Sequence, residues 1–89
     1  MRILTVGRLT YQKAHDIAVE AMKLVKNAGC RARWYVLGEG DEHRMLERKI
    51  EHLGLTDDFL LLGAKENPYP YYANADLYVH ATRFEGKSI

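Results

Sequence analysis

Two cations stand just after the first apolar run of the chain: Arg8, directly behind Gly7, and Lys13 a few residues on. A guanidinium is a rigid fork and an ammonium a mobile point charge. With the positive end of a following helix, the pair suits a diphosphate group. The alternative is two solvated cations on a loop. A second group, Gly38-Glu39-Gly40, follows the second apolar run. It is half of a dinucleotide fingerprint, but the third glycine is absent and the first strand is not the one it follows. Two glycines that let the backbone turn from strand into helix are the simpler reading, although a ligand can still approach such a turn closely. The third group is Glu85-Gly86-Lys87-Ser88, behind Phe84. A glutamate there accepts hydrogen bonds from hydroxyl groups or balances a cation; equally, it is a solvated loop carboxylate.

The four histidines, His15, His43, His52 and His80, lack the close spacing of a metal site, and only His80, at a strand end, invites a test. Cys30 has no internal partner for a disulfide. Tyr69, Tyr71 and Tyr72 suit the packing of a short helix against a sheet better than a stacking platform.

These side chains need elements to hold them. Arg2 to Val6 contains Ile3, Leu4 and Val6 and stops at Gly7, the pattern of a buried strand entering a tight turn. From Asp16 to Ala28, the residues Ile17, Ala21, Leu24, Val25 and Ala28 recur at helical spacing, with Gly29 at the stop. Trp34 to Leu37 predicts a second strand ending at Gly38. Between Asp41 and His52 a charged background carries the stripe Met45, Leu46, Ile50 and Leu53, closed by Gly54. Phe59 to Leu62, between Asp58 and Gly63, reads as a third strand. Pro68 fits the first turn of a short helix through Tyr71, Tyr72 and Ala73. Asp76 to His80 gives a fourth strand, and Ile89 falls in a loop.

That order predicts an α/β fold: a Rossmann-like parallel sheet of about four strands with right-handed crossovers and flanking helices, three layers in all. Ligands of such sheets bind outside the carboxyl ends of the strands. Gly7-Arg8, Gly38-Glu39-Gly40-Asp41, Gly63 and the segment from Thr82 to Ser88 all follow strands, so glycines and charges converge on one rim.

With 89 residues and neither a repeat nor a linker-like tract, the chain reads as a single domain. It is small enough to bury only about 60–65% of its unfolded surface. Hydrophobic residues at 47% and charged residues at 28% match an ordinary globular domain and exclude a disordered or fibrous chain. A net charge of +1 provides no sequence-wide field for nucleic acid or an anionic membrane, so any anion site is local. No apolar run approaches the roughly twenty residues of a membrane span. With no visible signal peptide, a cytoplasmic location is expected.

Six segments together resemble the carboxy-terminal, donor-binding domain of family 4 glycosyltransferases. They are Gly7-Arg8-Leu9 with Gln12-Lys13; Val36 to Gly40 with Leu46; Leu53-Gly54-Leu55; Phe59 to Gly63; Tyr72 to Asp76; and Arg83-Phe84-Glu85-Gly86. The agreement in order and spacing covers nearly the whole chain. The resemblance implies a two-domain glycosyltransferase B fold, in which the amino-terminal domain, missing here, holds the acceptor and this one holds a nucleoside-diphosphate sugar. By that resemblance Arg8 and Lys13 hold the diphosphate and Glu85 opens a motif that contacts the donor. The second glutamate of that motif would fall beyond Ile89, so the expectation is one truncated donor domain spanning residues 1–89 and inactive by itself.

Two departures stand out. Ala14 replaces the glycine that usually follows the lysine. Lys87-Ser88 replaces an apolar residue and glycine, as in a bacterial subset that builds surface polysaccharides. The resemblance further implies hexosyl transfer with retention and without a required metal or other cofactor, the leaving diphosphate being stabilised by cations and a helix dipole. Arg8, Lys13 and Glu85 are therefore the expected catalytic residues. Those, with Gly7, Gly38, Glu39, Gly40, Gly86, Lys87 and Ser88, are the expected donor contacts. No nucleic acid partner is expected. The full-length parent is expected at the inner membrane surface, and the chain to self-associate through an exposed sheet edge. The rival reading is a Rossmann-like interaction or regulatory domain that kept the scaffold and lost the chemistry.

Overall fold

The computed structural model describes residues 1–80. Glu85, Gly86, Lys87 and Ser88 lie outside the described residues. Among the described residues, four strands, β1 (Arg2–Val6), β2 (Arg33–Leu37), β3 (Phe59–Leu61) and β4 (Leu77–Tyr78), form one parallel sheet in the order β3-β2-β1-β4. The apolar run around Ile3 and Leu4 occupies an inner position, and both of those residues are buried.

Register decides which residues share a face. Ile3 pairs with Trp34, and Trp34 with Phe59, so these three form a row across the sheet; Thr5 and Val36 follow on the same face. Onto that face pack α1 (His15–Asn27) and α2 (His43–His52), which supply Ala18, Val19, Met22, Leu46 and Ile50 to one buried cluster. The rings of Trp34 and Phe59 meet at 5.3 Å between centroids. The opposite face presents Leu4 and Tyr35 to α3 (Tyr69–Asn74), so the three layers are helices, sheet and short helix.

The stripe expected on the first helix holds only in part, with Val25 packed against the core. Ile17 and Leu24 are exposed, and the buried face is His15, Ala18, Val19 and Met22. The helix carries apolar residues on two neighbouring faces, and spacing alone does not choose between them. In α2, Leu46 and Ile50 are buried as expected while Met45 faces solvent. The fourth strand is shorter than Asp76 to His80, although Val79 N still donates to the Leu4 carbonyl at 2.9 Å. Pro68 caps α3 rather than entering it, and Pro70 takes the second helical position. Tyr71 lines a hollow against Leu4 and Tyr35, Tyr72 stacks on Tyr78 at 5.6 Å, and Tyr69 is exposed, so packing accounts for only part of the tyrosine group.

Candidate functional site

Glycines end β1 and β2, and their backbones are joined directly. Gly7 N donates to the Leu37 carbonyl at 2.9 Å, Leu9 N to Glu39 at 3.0 Å, and Glu42 N back to Leu9 at 3.0 Å; Gly38 N reaches Gly63 at 3.0 Å. The turns after β1, β2 and β3 are thus stitched into one rim.

That stitching explains the glycine pair. A Cβ on Gly38 would stand 1.8 Å from the Gly7 carbonyl oxygen, and one on Gly40 would stand 2.4 Å from that of Leu9. Gly38 also has a φ of +152°, a conformation side chains rarely adopt. The two glycines serve backbone contact between neighbouring turns as well as entry into α2. Gly7 is different: a Cβ there meets nothing within 4 Å, which leaves open space beside the backbone.

The rim encloses a cleft of about 480 Å³. The first turn contributes Gly7 and Arg8, the second Gly38, Glu39 and Gly40, and the segment after β3 contributes Ala64, Lys65 and Pro68. The first two of the expected site segments are therefore brought together. Glu39 Oε2 lies 2.9 Å from where a Gly63 Cβ would sit, so a side chain at Gly63 would displace the carboxylate. Lys65 is a wall residue that sequence reasoning missed, because a single exposed lysine in a loop has no spacing signal; only its place just after the third strand marks it.

Lys13 does not line this cleft. It ends a 3-10 turn (Tyr11–Lys13), half-buried, and its charge acts on neighbouring His15. Between them Ala14 has φ 55° and ψ 33°, the left-handed region. That is the position where the resemblance expects glycine, and alanine adopts the geometry at a cost of about 1 kcal/mol. His15 is 2% exposed and sits 2.9 Å, through Nε2, from the Arg8 carbonyl oxygen. An oxygen of that kind only accepts, so Nε2 carries the proton and donates.

Burial, reinforced by the Lys13 charge, pushes the His15 pKa below its ordinary value of about 6.5, against the hydrogen bond to Arg8 and the Asp16 and Glu42 carboxylates, which raise it. The folded state thus binds this proton less readily than the unfolded chain. The stabilisation is complete above about pH 6.5 and is lost as pH falls through the folded value. Urea titrations between pH 7 and pH 5 should show stability falling with acid, with a shallower slope in His15→Gln. Equal slopes in the two proteins would remove His15 from the account.

Among the described residues, no group of three or more His, Cys, Asp or Glu gathers where it could hold a metal ion, and no helix is long and apolar enough to cross a membrane. His80 stays exposed beyond β4.

A family model, "Glycosyl transferases group 1", matches residues 1–89. The chain belongs to this family. Among curated relatives, it is 37% identical over 86 residues to a Campylobacter jejuni N-acetylgalactosamine-N,N'-diacetylbacillosaminyl-diphospho-undecaprenol 4-alpha-N-acetylgalactosaminyltransferase, covering 97% of this chain and 23% of that protein. An amylovoran biosynthesis glycosyltransferase of Erwinia amylovora, AmsD, is 29% identical, over 96% of this chain and 24% of its own length. The chain thus spans less than a quarter of the length of these relatives.

In fold it is similar to Staphylococcus aureus TarM, with a TM-score of 0.90 at 22% identity over 98% of this chain and 18% of that one. The pneumococcal O-GlcNAc transferase GtfA, solved with UDP and GlcNAc, gives a TM-score of 0.87 at 23% identity over 98% of this chain and 17% of that one. This group 1 glycosyltransferase chain therefore has the Rossmann-like architecture of one part of a glycosyltransferase B protein.

Proposed function

We propose that this chain is the donor-binding part of a retaining glycosyltransferase of hexosyl type, and that the rim cleft takes the diphosphate of a nucleoside-diphosphate sugar. One observation carries the reading: in a group 1 glycosyltransferase chain, Gly7 leaves open space at the carboxyl end of an inner strand, with Arg8 on the wall of the same cleft. Arg8 then meets the phosphates directly. Lys13, in the 3-10 turn ahead of α1 and off the cleft wall, is assigned a longer-range role, its charge adding to that of the helix dipole. Neither residue needs a metal to offset the charge growing on the leaving diphosphate. Glu85, with Gly86, Lys87 and Ser88, is assigned to the sugar side of the donor, and the acceptor to a separate amino-terminal domain. Surface polysaccharide synthesis on the cytoplasmic side of a membrane is the proposed setting of the full-length protein. The AmsD relative, named for amylovoran biosynthesis, supports it.

Calorimetry of the chain with uridine, guanosine and adenosine diphosphates tests the reading. Weak binding of at least one is the expected result. A charge-assisted hydrogen bond contributes about 1.5–3 kcal/mol, so Arg8→Ala should weaken that binding by roughly ten- to a hundredfold, and Lys13→Ala by less. Binding to none of the three would leave the scaffold reading, an interaction domain with a protein partner.

Among the described residues β4 is an edge of the sheet, with Leu77 and Tyr78 exposed at 47% and 43% beside the exposed Tyr72. We assign self-association to this edge. A sedimentation coefficient that rises with concentration is expected, and a monomer at millimolar concentration would contradict it.

A further inference from the structure

We infer that His15 is a positioning residue: its Nε2–H, donated to the Arg8 carbonyl, fixes the turn that presents the Arg8 guanidinium to the cleft. The inference rests on the diphosphate reading of that cleft and adds to it a residue that does not touch the ligand.

The peptide linking Arg8 to Leu9 is held at both ends. Its N–H, on Leu9, donates to the Glu39 carbonyl of the second turn at 3.0 Å. Its carbonyl, on Arg8, accepts from His15 Nε2 at 2.9 Å and from Thr10 N at 3.0 Å. The Thr10 bond is local and travels with the turn. The His15 bond ties the turn to α1, and the Glu39 bond ties it to the turn after β2. A peptide plane clamped from two elements fixes ψ of Arg8, and with it the point from which the long side chain departs. Arg8 is exposed and Leu9 fully buried, so order at the root of the guanidinium comes from the backbone rather than from packing of the side chain.

The surroundings hold the imidazole in this role. His15 is the first residue of α1 and almost fully buried, and Ala14 before it takes the left-handed conformation, which an alanine adopts only where its neighbours enforce it. The groups that act on the ring are the Arg8 carbonyl, Lys13 and Asp16 beside it in sequence, and Glu42 from the turn before α2. Glu42 keeps Oε1 buried without a hydrogen-bond partner, so the site includes an uncompensated acceptor close to the clamp. A histidine that merely filled space would not need its ring nitrogen on the carbonyl of the residue that lines the cleft.

Two amides separate positioning from filling. The Nε2 of glutamine reaches about as far as the histidine Nε2, whereas the amide of asparagine reaches only as far as Nδ1. In the 89-residue chain titrated with uridine, guanosine and adenosine diphosphates, His15→Gln should keep affinity within about threefold of the parent protein. His15→Asn should lose at least tenfold. Equal affinities in the two variants would overturn the proposal. If the parent protein binds none of the three nucleotides, the donor reading fails and the clamp is judged separately by hydrogen exchange of the Leu9 amide. That exchange should be faster in His15→Asn than in the parent or His15→Gln, and identical rates would overturn the clamp. A measurement on the parent protein guards against a variant that does not fold. Nitrogen-15 spectra of His15 should show the Nε2-protonated tautomer at pH 7.5, and the Nδ1-protonated form would refute the assigned hydrogen bond.

Discussion

Gly38→Ala should cost this domain most of its stability. The added methyl would lie 1.8 Å from the Gly7 carbonyl oxygen and 2.8 Å from its carbon, and both obstacles are backbone. Relief requires the first two turns to separate, which breaks the Gly7 N to Leu37 bond or the Leu9 N to Glu39 bond. The φ of +152° adds strain of about 1–3 kcal/mol for any side chain, and overpacking typically adds another 1–3. A chain of 89 residues has roughly 4–13 kcal/mol in total at the usual stability per residue. The expected result is a drop of about 4 kcal/mol in urea unfolding, with much of the protein unfolded at 37 °C. A loss under about 1 kcal/mol would mean that the turns are not in the contact described.

Gly7→Ala is the matched control. Its methyl meets nothing within 4 Å, so unfolding should move by less than about 1 kcal/mol. The same methyl stands beside the cleft that Gly7 lines, and nucleoside diphosphate binding should therefore weaken at least tenfold. One glycine thus serves the fold and its neighbour the site, a division that the two residue names do not display.

This division shows where sequence reading stopped. The first strand is legible to the residue because Ile3, Leu4 and Val6 precede a glycine, and the strand ends mark the rim. The meeting of Gly7-Arg8 with Gly38-Glu39-Gly40 followed from parallel topology alone. The reason for Gly38 did not, since its neighbour, the Gly7 carbonyl, comes from another strand. The buried face of the first helix was only partly legible for a related reason, Val25 of the expected stripe packing on the core. Ile17 and Leu24 are as apolar as Val19 and Met22, and which set is buried depends on the register between helix and sheet. His15 read as one scattered histidine because its partner is a carbonyl, a group that every residue has. Lys65 was invisible until the third turn closed the cleft.

The second large effect is expected at Trp34, where packing and a buried polar relay coincide. Trp34 lies in the row between Ile3 and Phe59 and is 5% exposed. Its indole Nε1 donates to Thr5 Oγ1 at 2.9 Å, and that hydroxyl donates in turn to the Val79 carbonyl at 2.7 Å. The relay runs from β2 across β1 to the end of β4, which has only two residues of regular strand. Trp34→Ala removes the ring from the core and should cost about 3–5 kcal/mol. Thr5→Val keeps the shape but leaves the indole N–H and the Val79 carbonyl without these partners, at about 1–3 kcal/mol for a buried unsatisfied group. Because both changes break the same relay, the double variant should lose less than the sum of the two, by about 1 kcal/mol. Thr5→Val should also speed amide exchange at Val79, whose N–H bonds Leu4, more than at Trp34, whose N–H is held by Asp58 on the far side of β2. Equal acceleration at both amides would show that the hydroxyl serves the sheet as a whole. Selective acceleration would show that a single threonine in β1 holds β4 in register beside the rim.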